Sequence, residues 1–75
     1  MEFHKEFDAT GMSCPGPVMA TKKVLQDMAS GQILRVLATD PSSVHDMPVL
    51  AEQSGNVLVK QESERDRFVF YLRKA

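Results

Sequence analysis

The chain of 75 residues has a single cysteine, Cys14, so it can form no internal disulfide and no dithiol redox pair. A small secreted domain of this length usually carries several cysteines, so the natural setting is a reducing cytoplasm. Only two histidines and no tryptophan are present. A zinc centre would have to gather Cys14, His4, His45 and a carboxylate without any closely spaced ligand pair. Long hydrophobic runs are missing too. The longest wholly apolar stretch, Phe68 to Leu72, is far too short to cross a bilayer, and the first residues show no secretory signal pattern. Charge of one sign is also scarce. Nine basic residues against ten acidic ones leave a net charge of −1, which disfavours nucleic acid as a direct ligand. No phosphate loop, dinucleotide fingerprint, calcium loop or Gly-x-Ser-x-Gly elbow occurs.

What is present is an ordinary globular composition, with 43% hydrophobic and 25% charged residues. The length suits one domain, residues 1–75, whose folded surface should be about 4,600 Å². Such a domain holds one small core and little room for an enclosed substrate cavity. Chemistry should therefore sit on the surface.

Periodicity sets out the elements. Glu2 to Ala9 alternates, with Phe3 and Phe7 on one side, as a half-buried strand does. From Pro15 to Ser30, Val18, Thr21, Val24, Leu25 and Met28 share one helical stripe, with Met19, Lys23 and Gln26 opposite. Pro15 and Pro17 are tolerated in a first turn, and Gly31 is a fitting stop, which predicts a helix of about four turns with Cys14 as its N-cap. Gln32 to Thr39 reads as a central strand. Asp40-Pro41 reads as the N-cap and first residue of a second helix, with Val44, Met47, Pro48 and Ala51 inward. Pro48 should kink or split that helix. Gly55-Asn56 ends it, and Val57 to Glu62 and Arg67 to Arg73 form two last strands.

The order is β-α-β-α-β-β. A right-handed crossover then gives an α/β two-layer sandwich, a four-stranded mixed sheet with two helices on one face. The second sheet face should stay partly open, with Ile33, Leu37, Val69 and Tyr71 as apolar contributors. A non-catalytic regulatory or interaction module would use that face.

Ser13-Cys14-Pro15-Gly16-Pro17 is the chemically informative stretch. A thiol at a helix N-cap meets the positive end of the macrodipole, which predicts a pKa below the free value of about 8.5. Pro15, Gly16 and Pro17 would stiffen the turn and hold the sulfur outward. The competing interpretation is a buried cysteine packed as a small hydrophobe. Neither His4 nor His45 has a sequence context that places it beside Cys14, so a Cys-His nucleophile pair is disfavoured.

The stretch Asp8-Ala9-Thr10-Gly11-Met12-Ser13-Cys14-Pro15-Gly16-Pro17 resembles the signature of the TusA/SirA-like sulfur-carrier family, whose core motif is Cys-Pro-x-Pro. The similarity continues through Lys22-Lys23, Gly31, Ala38-Thr39-Asp40-Pro41 and Asp46-Met47-Pro48 to Phe70-Tyr71-Leu72-Arg73-Lys74, nearly the whole chain. It implies the same β-α-β-α-β-β sandwich and makes Pro48 a family feature. It also implies a sulfurtransferase that carries sulfur as a persulfide on Cys14, with neither metal nor organic cofactor. The donor would be a cysteine desulfurase or rhodanese-like protein and the acceptor a DsrE-like or similar protein. Family relays feed tRNA thiolation, molybdenum-cofactor metabolism or dissimilatory sulfur oxidation, and Ser30-Gly31-Gln32 and Ala38 to Val44 look most like the sulfur-oxidation members. Met19 would be an apolar partner contact, and Lys22 and Lys23 would steer acidic partners unless they are simply a solvated helix face.

Overall fold

His4 marks where the first strand begins. Its backbone N–H donates to the Ile33 carbonyl at 2.8 Å, but its Nδ1 takes the Ile33 N–H at 2.9 Å, so the imidazole replaces a strand carbonyl there. In the computed structural model, which describes residues 1–75, β1 is therefore Lys5–Ala9 and not the longer Glu2–Ala9 expected from alternation. It runs parallel to β2 (Ile33–Ala38), with Phe7 opposite Val36. Two antiparallel strands complete the sheet, β3 (Val57–Ser63) and β4 (Phe68–Arg73), in the order β1-β2-β4-β3. The expected mixed four-stranded sheet and element order are both present.

Helix α1 (Gly16–Gln26) is shorter than expected at both ends. Pro15 occupies the N-cap, so Cys14 sits one residue outside it. At the other end Asp27 and Met28 donate to carbonyls three residues back, and the Gln32 side chain takes the Ala29 N–H at 2.9 Å. These bonds replace a fourth helical turn. Gly31, at φ 87°, then turns the chain in a conformation open to glycine, and its N–H bonds the Lys74 carbonyl at 2.7 Å.

Helix α2 (Ser43–Ser54) also starts later than expected, with Ser42 and not Asp40 as its N-cap. Asp40 instead accepts both the N–H and the hydroxyl of Ser42, at 3.1 and 2.8 Å, a side-chain turn ahead of the helix. Pro48 lies inside a continuous 12-residue helix, which is therefore not split there. The proline removes one backbone bond, opposite the carbonyl of the exposed Val44, while Met47, Leu50 and Ala51 of the same helix are buried against the sheet. Gly55, at φ 75°, and the bond from Asn56 N–H back to the Ala51 carbonyl end the helix where the sequence indicated.

Both helices cover one sheet face. Leu25 of α1, Met28 in the turn after it, and Met47, Leu50 and Ala51 of α2 pack with Leu34, Val36, Ala38, Phe70 and Leu72 in one cluster. The solvent-accessible surface is 4442 Å², close to what the length predicts. The other sheet face departs from expectation. Leu37, Val69 and Tyr71 are buried there, and only Ile33 of the four stays partly exposed. Arg35 pairs with Glu6, bonds the Tyr71 hydroxyl at 3.2 Å, and lays its guanidinium over the Phe3 ring 5.5 Å away. Its long stem covers part of the face that alternation left open. No helix is long and apolar enough to cross a membrane.

Candidate functional site

The loop between β1 and α1 presents Cys14. Asp8 fixes its start by accepting the Thr10 N–H and hydroxyl at 2.9 and 2.6 Å. Those bonds, the hydroxyl's first, hold the Asp8 carboxyl below the usual carboxylate range. Gly11, at φ 83°, makes the turn, and its N–H donates to Thr39 Oγ1 at 2.9 Å. The loop's end is tied to the second β–α connection, because Cys14 N–H donates to Asp40 Oδ2 at 2.5 Å. Asp40 thus bridges Ser42 and Cys14. The Ser42 hydroxyl, then the Ser42 and Cys14 N–H groups, hold its carboxyl below the ordinary value.

The Cys14 thiol is exposed and free, and its Sγ donates to Asp46 Oδ2 at 3.4 Å. Asp46 stands in the first turn of α2, 32 residues along the chain. This contact reverses the acidity expected of an N-cap thiol. The hydrogen bond to the Asp46 carboxylate pushes the Cys14 pKa up, and the Ser42 hydroxyl opposes it. Partial desolvation and the charges of Asp46 and Asp40 add to the rise. Two carboxylates beside the sulfur outweigh the end of a three-turn helix whose cap position is held by Pro15.

The motif residues divide between surface and core. Pro15 is exposed at the N-cap and lines a shallow hollow of about 240 Å³ with Cys14, Val18, Asp46, Val49 and Leu50. Gly16 lies close to Met12, since a Cβ there would meet Met12 Cε at 3.1 Å. Pro17 is fully buried, so it packs the base of α1 as well as stiffening its first turn. Met19 is 66% exposed one turn beyond the cysteine, as its stripe indicated. Lys22 and Lys23 are both exposed, but only Lys22 borders the depression between the helices.

Neither histidine joins the site. His4 Nδ1 is taken by Ile33, and His45 is exposed on α2 without a hydrogen bond to Cys14. No group of three or more His, Cys, Asp or Glu residues is placed to hold a metal ion. Sequence reasoning passed over Asp46 as a partner of the thiol, and Val49 and Leu50 as its apolar wall. Asp46 had one signal, its place in the quoted Asp46-Met47-Pro48 stretch. Val49 and Leu50 had none, because only helix packing brings α2 beside Cys14.

A small α/β sandwich that displays its one thiol on the loop entering its first helix is the class defined by this fold and site. Residues 5–74 match the family model described as Sulfurtransferase TusA, and the chain belongs to that family. It is 45% identical over 74 residues to the Sulfur carrier protein TusA of Allochromatium vinosum, covering 99% of this chain and 97% of that protein. The protein of the same name from Pseudomonas paraeruginosa is 42% identical over 67 residues, covering 89% of this chain and 85% of its own. Among solved structures, the SirA-like protein of Desulfitobacterium hafniense superposes with a TM-score of 0.81 at 25% identity, covering 93% of this chain and 96% of that one.

Proposed function

We propose that this chain is a sulfur carrier that takes sulfane sulfur as a persulfide on Cys14 and passes it to an acceptor protein. The observation that carries the proposal is the exposed lone thiol, held at the mouth of an apolar hollow on a loop pinned by Asp40. Membership of a sulfurtransferase family supports it.

In the loading step the Cys14 sulfur attacks the outer sulfur of a donor persulfide. A new bond forms between Sγ and that sulfur, the donor's own sulfur–sulfur bond breaks, and the donor leaves as a thiolate that takes up the proton lost by Cys14. Delivery repeats the exchange with the acceptor's thiolate as attacker and Cys14 as leaving group. No net electrons are gained or lost, so neither step calls for an outside oxidant.

Asp46 gives the two states different behaviour. The empty thiol donates to its carboxylate, which favours the protonated form and lowers its thiolate fraction. A persulfide is a stronger acid than the thiol it comes from, because the outer sulfur carries the charge on a weaker S–H. The loaded group ionises beside Asp46 and Asp40, and like charge turns its terminal sulfur out towards a partner.

The donor is a cysteine desulfurase or rhodanese-like protein and the acceptor a DsrE-like or similar protein, in a reducing cytoplasm where a lone exposed thiol persists. The acceptor decides whether the sulfur enters tRNA thiolation, molybdenum-cofactor metabolism or sulfur oxidation. Burial of Leu37, Val69 and Tyr71 speaks against the rival interaction module on the second sheet face.

Loading is tested by intact-mass measurement after incubation with a cysteine desulfurase turning over cysteine. One added sulfur, removed by reductant and never acquired by Cys14→Ser, is expected. A wild-type chain that stays unmodified with several competent donors, while its thiol still alkylates, overturns the proposal.

A further inference from the structure

The hollow at Cys14 does not stand alone. It shares Val18, Leu50 and Gln53 with a second of about 220 Å³, which shares Lys22 and Ser54 with a third of about 210 Å³ reaching Lys74. Together they form a furrow between α1 and α2 that begins at the thiol and ends between two lysines. Its floor is apolar near Cys14 and its far end is basic. Lys22 and Lys74 enter none of the ion pairs of the chain, which join Arg35 to Glu6, Lys60 to Glu62 and Arg67 to Glu64. Asp46 and Asp40 place negative charge at the near end.

We propose that the furrow is a docking track for an extended, cysteine-bearing segment of a partner protein that carries an acidic residue about four positions from its cysteine. The inference rests on the sulfur-carrier function only in requiring the partner's cysteine to reach Cys14. Charge complementarity sets the spacing. Acidic partner groups are repelled beside Asp46 and attracted beside Lys22 and Lys74. The six steps from Gly16 to Lys22 rise about 9 Å along α1, and Cys14 lies two residues before it, so the span from Cys14 to Lys22 is about 12 Å. An extended chain spans that distance in about four residues. An extended strand lays alternate side chains onto Val18 and Leu50.

The probe is a set of five-residue peptides whose cysteine is activated as a 2-thiopyridyl disulfide. Attack by Cys14 forms the mixed disulfide and releases thiopyridone, which takes up the thiol proton and is followed by absorbance. No sulfane sulfur moves, so failure here is distinct from failure of the carrier function. Cys-Ala-Ala-Ala-Glu and its reverse are compared with Lys in place of Glu, and with Glu adjacent to the cysteine. Rates are normalised to activated N-acetylcysteinamide. In one chain sense, Glu four positions from the cysteine should react about three- to tenfold faster than Lys at low salt, the size of one or two exposed ion pairs. Glu beside the cysteine should show no such gain. The preference should vanish in the Lys22→Ala/Lys74→Ala double variant and persist in Lys60→Ala. Equal rates for Glu and Lys, a gain independent of spacing, or a preference that survives the double lysine variant overturns the proposal.

Discussion

Replacing Thr21 by Val should stabilise this protein. Thr21 lies on the inner face of α1, is fully buried, and its Oγ1 has no hydrogen-bond partner. An unsatisfied buried hydroxyl costs about 1–3 kcal/mol. Valine has the same shape with a methyl in place of the hydroxyl, removes that cost, and adds apolar contact at nearly equal helix propensity. The net gain should be about 1–2 kcal/mol. For 75 residues the unfolding entropy is about 160 cal/mol/K, so each kcal/mol raises Tm by about 6 °C. Thermal unfolding followed by circular dichroism should therefore show Tm higher by about 6–12 °C. Cys14 alkylation should be unchanged, because Thr21 faces the core and not the furrow. A Tm that is unchanged or lower would refute the argument, since it would mean that the hydroxyl is satisfied in solution.

Other outcomes follow from the site. The alkylation rate of Cys14 should titrate with a pKa above the ordinary thiol value, and Asp46→Asn should lower it, speeding alkylation at neutral pH; a lower wild-type pKa, or no change in the variant, contradicts the role given to Asp46. Asp40 has a depressed folded pKa, so its contribution to stability is complete above the unfolded value of about 3.9 and is lost as pH falls through the folded one. Urea titrations should accordingly find Asp40→Asn less stable at pH 7, with a flatter loss of stability below about pH 4. Leu50→Ala should cost about 2–5 kcal/mol in the same titrations, because Leu50 is buried in the core as well as bordering the furrow.

Much of the fold was legible in the residues because period and punctuation agreed. On β4, Phe68, Phe70 and Leu72 face the helices while Val69 and Tyr71 face away, as alternation required. Gly31 and Gly55 mark turns that need positive φ. The boundaries were less legible where side chains took over backbone bonds, as His4, Gln32 and Asp40 do. The acidity of Cys14 was misread for a different reason. Helix position is local and visible in sequence, whereas Asp46 reaches the thiol only through the packing of α2 on α1. The partial cover that Arg35 gives the second sheet face is likewise tertiary, since a charged residue among apolar ones gives no sign that its stem will lie over them.

The most direct test of the carrier role follows the sulfur between two proteins. The chain is loaded with one sulfane sulfur, separated from its donor, and mixed with a cysteine-bearing acceptor protein while the intact masses of both are tracked. The account predicts that the mass of one sulfur leaves this chain as it appears on the acceptor, without metal, nucleotide or reductant, and that Cys14→Ser delivers none. An acceptor that gains sulfur equally well from the Cys14→Ser chain, or a loaded wild-type chain that delivers to no thiol, contradicts it.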